Sequence, residues 1–279
     1  MNPTVEVLLK RAIDYAGLFP PAHLGMAEAV DNYRRYMAGE DRWALGRFVC
    51  PVERLPEFEA QLRDDDGKQE PWKLAAVSRG APEEDHQAIA VFNLRAVGKA
   101  RVDTVEARVA SPAEARARLR AHAGLMNYCE VDPAVAGWEA VLDAVREGEA
   151  RAKLRTGGVV AAAIPPPARV IAFLAACHAR GLGLKATAGL HHAFTGRYAL
   201  TYEPGSAQAT MYGFVNLTLA AACLEMGGGV QAADQILHAA NPADFAAVSL
   251  EQMMAGRRFF VGFGSCSFEE PLQWLHQLA

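Results

Sequence analysis

Two short stretches, Arg151-Ala-Lys-Leu-Arg-Thr-Gly-Gly158 and Leu184-Lys-Ala-Thr-Ala-Gly-Leu-His-His192, decide the fold. Each is typical of a buried strand that ends in glycine, and each carries one lysine inside the strand. Lysine is among the residues least often buried, so such a lysine either reaches solvent at the strand end or has a chemical role. The two lysines are 32 residues apart, which matches one strand–helix–strand repeat of roughly 30 residues. We therefore expect adjacent parallel strands with both ammonium groups at the same end of one sheet.

The rest of the chain repeats this alternation of short strands and amphipathic helices, which indicates a parallel sheet. Ser111-Pro-Ala-Glu114, for example, predicts a helix start with an N-cap serine, a first-turn proline and a glutamate at N3. About eight strands are predicted, the number in a TIM barrel. They lie near residues 14–18, 46–50, 73–77, 102–108, 125–131, 152–156, 183–188 and 259–264.

We predict a single α/β domain over residues 1–279, a (β/α)8 TIM barrel with an N-terminal helix and a long loop after strand 7. An open doubly wound sheet is the alternative. No GxGxxG motif follows the first strand, which weakens the dinucleotide-binding form of that alternative.

Composition narrows the classes of partner. The chain is 51% hydrophobic and 22% charged, with a formal net charge of −4, which argues against nucleic acid as the main partner. The most apolar run, residues 214–226, is too short to cross a bilayer, and residues 1–9 lack the layout of a signal peptide. Five cysteines without close pairs are typical of reduced thiols. We expect a cytoplasmic protein with a small-molecule substrate and no membrane or nucleic-acid partner, and leave a homodimer open.

In a barrel of this kind the active site lies at the carboxyl ends of the strands. Residues two apart in a strand share a face, so Lys153 and Arg155 point the same way, as do Lys185 and Thr187. A lysine beside a guanidinium and a second ammonium is expected to have a lowered pKa, as a Schiff-base nucleophile requires. The other polar or glycine candidates at strand ends are Asp14, Asp103, Glu130, Asp132, Gly262, Gly264, Ser265 and Ser267.

Five segments, in order, resemble the deoxyribose-phosphate aldolase group of class I aldolases. Ile13-Asp-Tyr-Ala-Gly-Leu-Phe-Pro20 is similar to the opening Ile-Asp-His-Thr-Leu-Leu-Lys-Pro of that family, and Phe48-Val-Cys-Pro51 to its second strand. Val102-Asp-Thr-Val105 is similar to its fourth-strand Ile-Asp-Met-Val. Lys153-Leu-Arg-Thr-Gly157 and Lys185-Ala-Thr-Ala-Gly189 resemble Lys-Thr-Ser-Thr-Gly and Lys-Ala-Ser-Gly-Gly, the two lysine strands.

This resemblance implies a lyase that needs no cofactor. Lys153 would form the Schiff base, Lys185 would lower its pKa, and Asp103 would relay protons with Asp14 in support. Glycines after the sixth, seventh and eighth strands would hold a phosphate. The substrate-binding residues implied by the resemblance and by strand position are Arg155, Thr156, Gly157, Gly158, Thr187, Gly189, Gly264, Ser265, Glu130, His191 and His192.

Departures from the family pattern bear on the substrate. Arg155 replaces a small residue beside the expected nucleophile, Ala188 replaces a glycine, and Tyr15-Ala16 replaces His-Thr. The loop from His191 to about Gly213 is long enough to be a lid or specificity loop. We therefore expect a substrate other than deoxyribose phosphate, such as one whose carboxylate binds Arg155 or Arg197.

Several alternatives remain at this level. Lys153 and Lys185 can be structural ion-pair partners of Glu130, Asp132 or Asp103. His191 and His192 can, with a carboxylate, serve a metal-dependent isomerase or hydrolase, although adjacent strand residues point to opposite faces, which argues against one shared ion. The chain can also be a barrel that binds a metabolite without turnover.

Overall fold

A computed structural model describes residues 2–239 and 241–274, so the predicted domain of residues 1–279 extends beyond them. The strands are β1 (Ile13–Tyr15), β2 (Leu45–Pro51), β3 (Trp72–Ser78), β4 (Ala100–Arg108), β5 (Met126–Glu130), β6 (Arg151–Arg155), β7 (Leu184–Thr187), β8 (Gly196–Ala199), β9 (Gln208–Met211) and β10 (Phe260–Ser265).

Eight of these strands close into a parallel barrel in the order β1, β10, β7, β6, β5, β4, β3, β2. The first strand pairs with both β2 and β10, so no open edge is left. The predicted barrel is confirmed, and the open doubly wound alternative is wrong. Because all eight strands are parallel, their carboxyl ends meet at one mouth of the barrel.

Helices alternate with the barrel strands and cover them. Ser111 caps its helix as predicted, since its side chain accepts a hydrogen bond from the Glu114 N–H. The helices are α1 (Pro3–Leu9), α2 (Met26–Ala38), α3 (Leu55–Glu59), α4 (Pro82–Arg95), α5 (Pro112–Ala121), α6 (Trp138–Glu147), α7 (Pro167–Ala179), α8 (Phe214–Glu225), α9 (Gly229–Ala239), α10 (Pro242–Ala246), α11 (Leu250–Phe259) and α12 (Glu269–Gln273).

The long segment after β7 contains a hairpin rather than an unstructured loop. Strands β8 and β9 pair antiparallel and form a separate two-stranded sheet. Leu200, directly after β8, and Met211, the last residue of β9, line the cavity at the barrel mouth. The hairpin therefore forms part of the wall of the site, in the region predicted as a lid or specificity loop.

One stretch of the described residues, 161–179, is long and apolar enough to cross a membrane by length and composition. Its continuous α-helix is only α7, and two prolines precede it. A helix of 13 residues spans about 20 Å, less than the hydrocarbon core of a bilayer. Val170, Phe173 and Leu174 are fully buried against the rest of the barrel. The stretch is therefore an outer-layer helix of the barrel.

Candidate active site

Lys153 and Lys185 occupy register positions side by side on β6 and β7, and one carboxylate, Glu106, binds both ammonium groups. Lys153 Nζ lies 2.8 Å from Glu106 Oε2 and 3.0 Å from Glu130 Oε2. Lys185 Nζ binds the other Glu106 oxygen and also Asp14 Oδ2. Two ammonium groups and three carboxylates thus form a single ion cluster inside the barrel.

The position of Asp14 in this cluster depends on a glycine in the next strand. A Cβ at Gly46 would lie 2.1 Å from Asp14 Oδ1, a distance that steric repulsion forbids. The N–H of Arg47 donates to the same oxygen at 2.6 Å, which leaves Oδ2 for Lys185. Asp14 is therefore held against Lys185 by the backbone of β2.

The ion cluster opens onto a cavity of about 600 Å³ at the barrel mouth, a size typical of small-molecule sites. Lys153 and Lys185 both line it, although only 7% and 2% of their surfaces are exposed. The charged lining consists of Glu106, Glu130, Lys153, Lys185, Arg79, Arg108, Arg118 and Arg155, with His191 beside them. Six of these are Lys or Arg and two are Glu, so the cavity favours an anionic ligand.

Most of the predicted site residues reach this cavity. Those in its lining are Glu130, Lys153, Arg155, Gly158, Lys185, Thr187, Gly189, His191 and Gly264. Six predicted residues do not belong to the described lining: Asp14, Asp103, Thr156, Gly157, His192 and Ser265. The expected pairing of faces is confirmed, because Arg155 accompanies Lys153 and Thr187 accompanies Lys185.

The protonation of the lysines differs from the expectation. Burial lowers the pKa of Lys153, but the charges of Glu106 and Glu130 outweigh burial and raise the pKa above its usual value. Lys185 behaves likewise, with Asp14 and Glu106 as its counter-ions. Burial would raise the pKa of Glu106, yet the two ammonium groups lower it. The expected lowering of the Lys153 pKa is therefore wrong, because Glu106 and Glu130 surround its ammonium group with negative charge.

Asp103 lies apart from the lysines. Its carboxylate pairs with Arg47, with Oδ1 2.6 Å from Nε and Oδ2 3.1 Å from Nη2. It sits where the register between β3 and β4 shifts by one residue, a local bulge. Three residues further along β4, Glu106 faces the cavity. The structure thus places Glu106, and not the expected proton-relay acid Asp103, between the two lysines.

The glycines after β6 and β7, predicted to hold a phosphate, and Thr156, predicted to bind substrate, lie where two loops meet. A Cβ at Gly157 would lie 2.9 Å from the Ala188 carbonyl oxygen, so glycine allows the loops after β6 and β7 to touch. The Thr156 hydroxyl donates to the carbonyls of Thr187 and Ala188. Gly189 has a φ of +79°, a conformation that favours glycine. These residues shape the rim of the cavity by joining two loops.

Arg155 is the basic residue best placed to meet a ligand. Its Nε donates to the Gly157 carbonyl at 3.0 Å, and its side chain is exposed at the cavity. Among the described residues it has no ion-pair partner, whereas Arg79, Arg108 and Arg118 each pair with a glutamate or aspartate. A free guanidinium can bind a carboxylate or phosphate through two hydrogen bonds.

The side chains of the adjacent residues His191 and His192 have different surroundings. His192 stacks on Tyr198 with ring centroids 3.5 Å apart, while His191 turns toward the cavity. His191 Nδ1 lies 2.6 Å from Glu270 Oε2 and 3.4 Å from Ser265 Oγ. Its Nε2 lies 3.8 Å from Cys266 Sγ. The two imidazoles therefore do not face one common ligand position.

Residues 2–239 and 241–274 contain no set of ligands for the metal-dependent alternative. No group of three His, Cys, Asp or Glu side chains in those ranges is arranged to hold an ion.

All five cysteines are free thiols, as predicted.

Glu106 was missed at the sequence level, although a signal existed. It is the one acidic residue inside the run Thr104-Val-Glu-Ala107, and its exposed fraction is 2%. An acid in a buried strand requires a positive partner. The two buried lysines supplied such partners, so the three could have been connected.

Comparison with known proteins leaves the family open. Neither the protein-family models nor the curated proteins give a match to this chain. The chemistry of the site must therefore be argued from its own geometry.

Proposed function

We propose that this chain is a Schiff-base-forming lyase, similar to the class I aldolases, that cleaves and forms a carbon–carbon bond reversibly. Lys153 would attack the carbonyl carbon of a small aldehyde or keto compound. The observation that carries this proposal is the lysine pair, which shares Glu106 and lines one cavity. A covalent iminium accepts electrons without any further group, so the proposal requires no cofactor.

The first step is loss of a proton from Lys153, because only the free amine is nucleophilic. Glu130 is the suitable acceptor, since its Oε2 lies 3.0 Å from Nζ and its side chain is 19% exposed. Glu106 is held by both lysines and is only 2% exposed. Glu106 therefore serves as the fixed counter-ion and Glu130 as the group that moves the proton.

Glu130 then both accepts a proton and returns it. It takes the proton from Lys153, the amine adds to the carbonyl carbon, and Glu130 returns the proton to the carbonyl oxygen. Loss of water from this carbinolamine gives the iminium, which accepts the electron pair of the bond that breaks. Lys185, fixed by Asp14 and Glu106, keeps a positive charge beside Lys153, which favours the neutral amine once Glu130 is protonated.

The substrate is proposed to carry a carboxylate or phosphate. Six basic side chains and two carboxylates line the cavity, and Arg155 is exposed there without an ion-pair partner among the described residues. An anionic group bound by Arg155, which follows Lys153 by two residues on the same strand face, would lie near the reacting amine. Glycolaldehyde phosphate and 2-keto acids have this arrangement of a carbonyl close to an anion.

A second candidate is a barrel that binds an anionic metabolite without turnover. It is favoured by the carboxylates around the lysines, which raise both lysine pKa values and would keep both groups charged. In that case the lysines would bind the ligand as fixed positive charges.

Exchange of α-protons separates the two candidates. A Schiff-base lyase converts a bound carbonyl compound to an enamine, so its α-protons exchange with D2O even without a second substrate. We expect exchange, followed by proton NMR, with at least one of acetaldehyde, pyruvate and glycolaldehyde phosphate. Lys153→Met should abolish it, whereas Lys10→Met, a control at the exposed residue that follows α1, should leave it unchanged. Exchange that survives in Lys153→Met would contradict Lys153 as the nucleophile. Thermal stabilisation by these compounds without exchange would favour the second candidate.

A further inference from the structure

A second group of reactive side chains faces the same cavity on the side of β10. Cys266 directly follows β10, is 6% exposed and belongs to the cavity lining. Its Sγ lies 3.8 Å from His191 Nε2, and the opposite ring nitrogen of His191 is bound to Glu270 at 2.6 Å. Tyr202, from the β8–β9 hairpin, places its hydroxyl 3.5 Å from the same sulfur and 3.0 Å from Glu270 Oε2.

This arrangement contains the three parts of an activated thiol. A nucleophile lies beside a base, and the base is oriented by a carboxylate. The partners come from separate places in the chain, after β7, after β10 and on α12, and they converge at the cavity wall. None of them takes part in the cluster of Lys153, Lys185 and Glu106. The geometry therefore defines a second site within the cavity.

We propose that Cys266 is a second nucleophile of this cavity and binds the carbonyl carbon of an aldehyde covalently, as a hemithioacetal. The thiol proton passes from Sγ to His191 Nε2, and the thiolate attacks the carbonyl carbon. The carbonyl π electrons move to oxygen, which takes the proton from His191 Nε2. One carbon–sulfur bond forms and one carbon–oxygen π bond is lost, with no oxidant and no leaving group.

An aldehyde fits this site better than an ester. Addition to an aldehyde is complete when its oxygen receives one proton, and His191 Nε2 supplies that proton. Acyl transfer would also need a leaving group and preorganised donors for a tetrahedral oxyanion. The side-chain groups within hydrogen-bond distance of Sγ among the described residues are the His191 ring and the Tyr202 hydroxyl. Although burial opposes it, the hydrogen bonds to Cys266 and Glu270 raise the pKa of His191 to about 9, so at neutral pH the imidazolium holds a proton that it can donate to the carbonyl oxygen.

Alkylation with iodoacetamide, mapped by mass spectrometry, tests the activated thiol. Cys223 is the internal control, because it is more exposed while burial raises the pKa of its thiol. At pH 7 we expect Cys266 to react roughly tenfold faster than Cys223. His191→Asn should remove this advantage and Glu270→Gln should reduce it. Cys50, Cys129 and Cys177 are at most 2% exposed and, unlike Cys266, are absent from the described lining of the cavity, so their protection reports that each variant is folded. An unmodified protein in which Cys266 reacts no faster than Cys223 would overturn the proposal without any variant.

The pH profile gives a second readout. The titratable groups that face Sγ are His191, Tyr202 and Tyr15, with Glu270 behind the first two. Because His191 beside Sγ stays protonated between pH 8 and 6, we expect the Cys266 rate to change less over that range than the Cys223 rate. The Cys223 rate should fall about tenfold per pH unit, as for an ordinary thiol. Parallel profiles for the two cysteines would contradict an activated Cys266.

Glyoxylate, an anionic aldehyde, tests the ligand class. In Lys153→Met protein, where no Schiff base can form at that position, glyoxylate should protect Cys266 from iodoacetamide and leave the Cys223 rate unchanged. Protection in this variant would support the thiol site whether or not Lys153 is a Schiff-base nucleophile. Absence of protection, with Cys266 still highly reactive, would overturn the aldehyde assignment and leave the proposal for Lys153 unaffected.

Discussion

Glu106 lies between Lys153 and Lys185 and binds both ammonium groups, one through each carboxylate oxygen. The lysines are register partners on adjacent strands, so parallel pairing alone would bring two positive charges together inside the barrel. The buried carboxylate offsets that repulsion and fixes both amines beside the cavity. Glu106 therefore sets the electrostatics of the site.

Replacing Glu106 by glutamine should strongly destabilise the fold. The side chain keeps its shape, but two buried ammonium groups lose their shared counter-ion, which costs about 3–5 kcal/mol for a buried pair. Glu130→Gln is the matched control, because Glu130 is 19% exposed and its only ion-pair partner among the described residues is Lys153; its expected cost is about 1 kcal/mol. Urea unfolding measures both changes. Equal losses in the two variants would contradict the central position of Glu106.

Gly46→Ala should displace Asp14 from Lys185. The added methyl group would lie 2.1 Å from Asp14 Oδ1, so the carboxylate or β2 must shift, at a cost of about 1–3 kcal/mol. Gly183→Ala provides the control, since its Cβ would meet its neighbours at an ordinary 3.5 Å. We expect urea unfolding to show a clear loss for the first variant and a change within about 0.5 kcal/mol for the second. The reverse order would refute this account of Asp14.

Asp103→Asn should leave lysine reactivity intact. Asp103 pairs with Arg47 and is absent from the described lining of the cavity. The pair is partly exposed, so its loss should cost about 1 kcal/mol or less. The rate of α-proton exchange should stay within about twofold of the unmodified protein, because this change of roughly 0.4 kcal/mol is the size expected from a residue without contact to the reacting groups. A large loss of exchange with retained stability would restore Asp103 as the proton-relay acid.

The adjacent histidines should titrate far apart. Burial opposes protonation of His191, but its bonds to Cys266 and Glu270 raise its pKa to about 9. Burial and the neighbouring His191 charge lower the pKa of His192 to about 4. NMR titration of the two imidazoles measures both values directly. Titration of both near the unperturbed value of about 6.5 would contradict the described contacts.

These shifts have opposite effects on stability. The unfolded chain binds a proton at each histidine with a pKa of about 6.5. The contribution of His191 is therefore complete below about pH 6.5 and is lost as pH rises through about 9. The contribution of His192 is present above about pH 6.5 and falls as pH decreases toward about 4. His192→Asn should accordingly reduce the loss of unfolding free energy between pH 7 and pH 5.

The strand positions could be predicted because each barrel strand is a short apolar run bounded by turn residues. Because helices alternate with these strands along the chain, the strands could also be predicted to be parallel. The acid between the lysines was missed although its place inside an apolar run was a signal, because the register shift at Asp103 alters which β4 residues face inward. The β8–β9 hairpin was also missed, since its strands have four residues each and a largely exposed surface. The contact of Cys266 with His191 joins positions 75 residues apart, which no local pattern indicates.

Borohydride trapping tests the proposed nucleophile most directly. The protein is incubated with glyoxylate, pyruvate or glycolaldehyde phosphate, reduced, and digested for mass spectrometry. The account predicts one dominant adduct on the peptide that contains Lys153, absent from Lys153→Met and unchanged in Lys10→Met. Adducts confined to exposed lysines such as Lys10, with Lys153 unmodified by every compound, would contradict it.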